Sequence, residues 1–354
     1  MCVLSSRNNC QNDQISNSGQ PIFVEWRLEQ IETFGKKPFL IKHNLAWHPL
    51  FQASNLLSLA RSIHAASIEG RAVDAHVKIW RDKPELSGME RMSSWGAKTE
   101  VALGKEGWED ELAVLFKDLE EGRAAVSVML SFSNEVSPDY GAILSREVRE
   151  VAAKTGLSLS DVTFKGMTII ISAPGAVTPY HNDHEQNILF QIQGGKDVYL
   201  YDQNDSSILP QAVIENVETG DGGKAHYREE FSGRETAFRL EPGLAVHHPS
   251  LAPHWVKNGD NVSVSAAMFF HTRATDDLAH AHQANWFLRR LGLKPPPPDL
   301  SRPTDRLKAS IFRKMAGKRD SHASLFRGVR LLKGSVNPVR AAYHAIRRRG
   351  GASA

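Results

Sequence analysis

Cysteine is almost missing: there are two in 354 residues, Cys2 and Cys10, both in the leading stretch MCVLSSRNNCQNDQISNSGQ. A disulfide framework and a thiolate metal site are excluded, so any metal chemistry has to draw on histidine and carboxylate ligands. Long apolar runs are missing too. Nothing approaches the roughly 18 uninterrupted apolar residues of a spanning helix, and no transmembrane segment is expected. The chain also lacks zinc-finger spacing, a phosphate-cradling glycine loop and internal repeats. Residues 1–20 are rich in Ser, Asn and Gln and hold no apolar secretory core, so they are expected to be disordered and the protein cytoplasmic. With 41% hydrophobic and 23% charged residues, the composition is that of a globular chain with a sizeable core. It rules out collagen-like, coiled-coil and wholly disordered architectures.

The formal net charge of +3 hides an asymmetry. From Ser301 to the end there are 14 Lys and Arg against 2 Asp, a surplus of +12, so residues 1–300 carry −9. A mildly acidic body is joined to a strongly basic tail, with the stiff spacer PPPP (295–298) just before it.

Residues 21–160 are helix-rich with some strands. SNLLSLARSIHAA (54–66) sets Leu56, Leu57, Ala60 and Ile63 on one helical face, and WEDELAVLFKDLEEG repeats the stripe with Trp108, Leu112, Leu115, Phe116 and Leu119 before Gly122. A third helix is expected over 142–155, ended by Gly156. From about residue 161 to 275 the texture changes to short runs rich in Val, Ile, Phe and Tyr (MTIIIS, NILFQIQ, DVYLYD, LAVHH, VSVSAAMFF), separated by Gly, Pro, Asp and Asn. That pattern predicts a β-barrel or jelly roll rather than a doubly wound parallel sheet. Helical character returns over 276–354. The fold class is mainly β with flanking helices (α+β).

The informative block is TPYHNDHEQNILFQIQGGKDVYLYD, residues 178–202. His181 and Asp183 stand at i and i+2, so in extended chain both project from one face. An imidazole and a carboxylate facing the same way are two-thirds of a facial triad for Fe(II), which leaves coordination positions open for substrates. The third ligand is expected from a later strand, with His247, His248 and His254 as candidates. About one His-x-Asp arises by chance in a chain of this composition, so the pair alone is only a hypothesis. The weight lies in its context: a second histidine cluster follows a Pro-Gly turn, and Lys196 is a single cation just before a strand.

These residues resemble the cupin-type JmjC oxygenases, which depend on iron(II) and 2-oxoglutarate. The family includes the asparaginyl hydroxylase that inhibits hypoxia-inducible factor and bacterial cupin-like relatives. The likeness rests on Thr178, Pro179, His181, Asp183, Asn187, Gln191, Ile192, Gly194, Lys196, Pro242, Gly243 and His254, within 173–202 and 241–270, about a sixth of the chain. It implies a double-stranded β-helix (jelly-roll or cupin) core. It also implies His181, Asp183 and His254 as iron ligands, Lys196 and Thr178 on the distal carboxylate of 2-oxoglutarate, and Asn187 in the same pocket. The distal ligand of such proteins follows a Pro-containing loop and precedes an alternating strand, which favours His254; His247 and His248 are then expected to face substrate or solvent. Glu185 is expected to support the ligands rather than join them. Ala267 stands where the asparaginyl hydroxylase has an Asn, and Tyr140 is a candidate for its upstream Tyr. The implied reaction hydroxylates an aliphatic C–H of a protein side chain or small metabolite, consumes O2, and releases succinate and CO2.

Two other classes remain open: a metal-binding cupin that does not use 2-oxoglutarate, and a non-catalytic binding or regulatory module. Lys196 speaks against the first, because a metal-only site needs no cation there, and the intact ligand set speaks against the second. The basic tail reads as a solvated face on packed helices, with a nucleic-acid or anionic-surface partner as the functional alternative. The resemblance also implies a homodimer through the C-terminal helices.

Overall fold

The computed structural model describes residues 20–333, apart from 47, 72–73, 94, 96–97, 102, 104–105, 133–135 and 221–224. The helical stripes fold as their spacing predicts. The first half holds helices α1 (Leu28–Thr33), α2 (Ala53–Ile68), α3 (Gly88–Ser93), α4 (Trp108–Glu120) and α5 (Pro138–Thr155). Leu56, Ala60 and Ile63 are buried on α2, and Leu112, Phe116 and Leu119 on α4. Pro138 opens α5, where a missing N–H costs nothing, and Gly156 closes it at φ 74°.

The same half supplies strands β1 (Phe39–Lys42), β2 (His76–Asp82), β3 (Lys98–Val101) and β4 (Val126–Phe132). The second half supplies β5 (Val162–Ser172), β6 (Val177–His181), β7 (Gln186–Gln193), β8 (Lys196–Leu200), helix α6 (Gln211–Val217), β9 (Thr236–Leu240), β10 (Leu244–His248), β11 (His254–Asn258) and β12 (Ser263–Thr272). They form two antiparallel sheets, one of eight strands in the order β1-β10-β7-β12-β5-β4-β2-β3, the other of four in the order β6-β11-β8-β9. Leu189, Val246 and Ala267 of the large sheet pack against Val198, Leu240 and Val256 of the small one, so the sheets face each other as in a jelly roll.

The large sheet is buried on both faces, and β5 shows how its period-2 alternation divides the labour. Met167, Ile169 and Ile171 point outward into the main hydrophobic core with residues of α2, α4 and α5. Gly166, Thr168 and Ile170 point inward and line a cavity between the sheets. Gly166 is glycine for a steric reason: a Cβ there would lie 2.6 Å from Cζ of Phe269 on β12, its register partner.

Helices α7 (Arg273–Arg290), α8 (Pro303–Ala316) and α9 (Arg327–Lys333) close one end around Trp286, Phe312, Leu325 and Val329. Much of the tail's positive charge is spent internally. Arg313 is bound to Asp277, Lys308 to Asp305 and Asn285, Arg319 to Asp276, and Arg327 to Asp320. The solvated-face reading of the tail thus becomes packing with ion pairs for these residues. Arg340 and Arg347–Arg349 lie outside the described residues.

Gly166→Ala should destabilise the protein by about 1–3 kcal/mol, because the Phe269 ring has to move. Phe269→Leu should relieve most of that cost. Thermal unfolding of the single and double variants checks this; strictly additive effects would refute the contact.

Candidate metal centre

The end of β6 and the start of β11 bring His181 and His254 into register, with ring centroids 4.2 Å apart. A shift in register between His254 and Val256 then sets Thr178 opposite Val256. This bulge lets Thr178 and His181, three residues apart, both line the cavity. The chain between β10 and β11 is held tightly. The Leu251 N–H donates to the Asp183 carbonyl at 2.7 Å, and Leu251 itself has φ 66°, the only positive φ outside glycine among the described residues. For an L-residue that conformation costs about 1–2 kcal/mol.

Both histidines have their tautomers fixed by backbone. His181 Nδ1–H donates to the Pro179 carbonyl at 2.7 Å, and His254 Nδ1–H to the Ala252 carbonyl at 3.0 Å. Each Nε2 therefore carries a lone pair, and each lies 3.8 Å from Asp183 Oδ2. One donor atom from each of the three residues falls within 4.8 Å of the others. Two neutral imidazoles and one carboxylate, converging with the second ring nitrogens anchored, fit a divalent ion of intermediate softness such as Fe(II). The Trp95 ring meets His181 edge-on at 5.5 Å and shields that side.

The cavity measures about 510 Å³ and draws walls from both sheets. On its floor lies Lys196, 3% exposed at the start of β8. Burial, and then the neighbouring Lys98, lower its pKa to about 7. Lys98 is matched by Asp82, 2.8 Å away, whereas no carboxylate among the described residues comes within ion-pair distance of Lys196. A buried cation without a counter-ion is costly unless an anion arrives. Two more groups in the cavity wall lack hydrogen bonds among the described residues: both ring nitrogens of His248 and Oδ1 of Asn187, register neighbours on β10 and β7.

His181, Asp183, His254, Lys196, Thr178 and Asn187 all line this one cavity, as does Ala267. Other expectations change. His248 does face the cavity, but His247 faces neither substrate nor solvent. It is fully buried against Phe34 and Phe39, and burial lowers its pKa to about 3. Tyr140 gives its hydroxyl to the Leu50 carbonyl and packs on Phe51 and Phe132, away from the cavity. Glu185 accepts a 2.7 Å hydrogen bond from His322 in the C-terminal segment. The reading of the sequence missed Trp80, Trp95, Lys98, Asp74 and His322 as cavity residues. Only Lys98, a cation opening a short strand as Lys196 does, offered a recognisable signal.

A family model described as a cupin-like domain matches residues 98–276, half of the chain. The chain belongs to the cupin-like domain family. No curated protein matches it. Among solved structures, the chain is similar to YcfD, a ribosomal oxygenase from Escherichia coli solved with cobalt and 2-oxoglutarate. Identity is 15%, the TM-score 0.47, and the match covers 79% of this chain and 61% of that one. It is also similar to the DMSP lyase DddQ from Ruegeria pomeroyi DSS-3, at 17% identity, a TM-score of 0.21, and coverage of 31% and 39%. The cupin-like chain thus spans about three-fifths of the length of the YcfD chain.

The Lys196 environment makes a pH prediction. A lysine titrates near 10.4 when unfolded, so between about pH 7 and pH 10 the unfolded chain holds a proton that the ligand-free folded chain has released. Across that window this group's contribution rises with pH by about 1.4 kcal/mol per unit, and below pH 7 it is flat at its most unfavourable. Lys196→Met should therefore raise the unfolding midpoint of the ligand-free protein at pH 7, and the difference from wild type should shrink toward pH 10. A variant less stable than wild type at pH 7 would contradict the assignment.

Proposed function

We propose that this protein is an Fe(II)- and 2-oxoglutarate-dependent oxygenase that hydroxylates an aliphatic C–H of a protein side chain or small metabolite. The observation that carries the reading is the pairing, within one cavity, of the His181/Asp183/His254 donor set with an unmatched buried cation, Lys196. A metal-only site gains nothing from such a cation, whereas a dicarboxylate that chelates the metal at one end needs a positive charge for the other. When bound, iron and the keto acid supply the oxidising power, coupling decarboxylation to succinate and CO2 with hydroxylation by O2.

The chain's own residues do the rest. His181 and His254 present Nε2, and Asp183 the single negative charge, on one side of the metal. Their partners Pro179 and Ala252 keep both rings in one orientation. Lys196 anchors the distal carboxylate as a point charge, with Thr178 as a hydroxyl donor beside it. Asn187 and His248 offer hydrogen bonds on the opposite wall. Trp80, Trp95, Phe164 and Phe269 line the cavity with rings that exclude bulk water. In the homodimer we expect, α8 is the contact element, since Leu307 and Ile311, one turn apart, are both exposed. No helix among the described residues is long and apolar enough to cross a membrane.

An anaerobic titration with Fe(II) and then 2-oxoglutarate should give a saturable visible metal-to-ligand charge-transfer band. Asp183→Ala should lose the band while keeping the unfolding free energy within about 1 kcal/mol of wild type, the cost typical of a single change. Lys196→Met should retain iron and bind 2-oxoglutarate at least tenfold more weakly, about 1.4 kcal/mol. Iron binding without a band in wild type would favour the metal-only cupin, and no metal binding a non-catalytic module.

A further inference from the structure

Glu185, His271 and His322 form a second convergence of donor atoms, all within 4.8 Å of one another. Glu185 opens the turn into β7, His271 ends β12, and His322 comes from the C-terminal segment, so three distant parts of the chain meet here. His271 is 2% exposed, and its Nε2, 3.6 Å from Glu185 Oε1, has no hydrogen bond among the described residues. Its other nitrogen, Nδ1, lies 3.2 Å from Asp276 Oδ1, and Asp276 is itself held by Thr163 Oγ1 at 2.6 Å and by Arg319. A carboxylate behind one ring nitrogen, with the other nitrogen facing Glu185 and making no hydrogen bond among the described residues, is the arrangement that orients a metal-binding histidine.

The charges point the same way. Glu185, Asp276 and Asp74, which accepts the His322 backbone N–H at 2.9 Å, gather three carboxylates around this cluster and Arg319. The nearby His184 is turned away to Glu218, 2.9 Å from it. Entry is open, because Glu185 and His322 both line the cavity described above.

We propose that Glu185, His271 and His322 form a second site for a divalent transition-metal ion in the wall of the same cavity, pinning the C-terminal segment to the barrel. Two imidazoles and one carboxylate suit Zn(II) or Co(II) better than Ca(II) or Mg(II), and three protein ligands leave a position facing the cavity. The ion takes the place of the 2.7 Å His322–Glu185 hydrogen bond.

The test is an anaerobic titration of the metal-free, full-length protein with Co(II), followed by visible absorption and by metal content after gel filtration. Wild type should bind two equivalents. His181→Ala/Asp183→Ala should bind one, and that one should be lost when His322→Ala is added. His322→Ala alone should also bind one, with unchanged circular dichroism, since His322 is only half buried and its loss should not unfold the chain. His271→Ala should match His322→Ala; where it fails to fold, the wild-type count and His322→Ala decide. A wild-type count of one that vanishes in His181→Ala/Asp183→Ala would overturn the proposal. So would a second equivalent that survives His322→Ala. A single equivalent that depends on His322 but not on Asp183 would support this site while overturning the metal role of His181 and Asp183.

Discussion

The chemistry of this protein depends on the register of β6 against β11. His181 and His254 each spend Nδ1–H on the carbonyl two residues earlier, Pro179 within β6 and Ala252 in the loop before β11, so main chain, not a flexible side chain, sets both ring orientations. Because the side-chain period of a strand is two, slipping that pairing by one residue would turn one imidazole out of the cavity and leave Asp183 with a single partner. The bulge beside His254 and the left-handed Leu251, whose N–H is tied to the Asp183 carbonyl, absorb the irregularity that lets His181, Asp183, His254 and Thr178 line one cavity. Backbone strain concentrated here, next to the functional groups, is where such cost is usually tolerated.

The motif residues were legible because a β-strand writes its faces into the sequence. His181 and Asp183 two apart, Lys196 at the head of an alternating strand and His254 before another were enough to draw six residues to one cavity. The adjacent pair His247 and His248 was not legible in the same way. The large sheet is buried on both faces, so apolar and histidine positions alternate without a polar face to set the phase. Only the structure shows that His248 looks inward and His247 into the aromatic packing around Phe34 and Phe39. His322 was less legible still. It reaches Glu185 across 137 residues from a segment whose dominant signal is positive charge. In the folded chain several of those cations, Arg313 and Arg319 among them, meet Asp276 and Asp277 at the start of α7, which the charge count had assigned to the body.

The polar cavity is affordable because the stabilising mass lies elsewhere. Outward-facing Met167, Ile169, Ile171, Val128 and Leu130 join residues of α2, α4 and α5 in a continuous apolar core, buried to near completion. At roughly 1.5–3 kcal/mol for each fully buried aliphatic side chain, a few such residues outweigh the orphaned groups of Lys196, His248 and Asn187. Several inward-facing positions on the same strands are small or polar, namely Ser127 and Ser131 on β4 and Gly166 and Thr168 on β5, beside the apolar Met129 and Ile170. One alternation thus separates the two tasks within each strand.

That separation explains why the first half of the chain is needed at all. A four-stranded sheet facing β1, β10, β7, β12 and β5 would already hold His181, Asp183, His254 and Lys196. Yet β4, β2 and β3 extend the large sheet past its partner. They bring Ser127, Met129 and Ser131 from β4, His76 and Trp80 from β2, and Lys98 from β3 into the cavity wall. The helices that cover the outer face of this extension keep its added strands from presenting an apolar face to water. The extension raises the local positive charge near Lys196 through Lys98, then tempers it with Asp82, so Lys196 stands as a single buried cation in the wall rather than as part of a general basic patch.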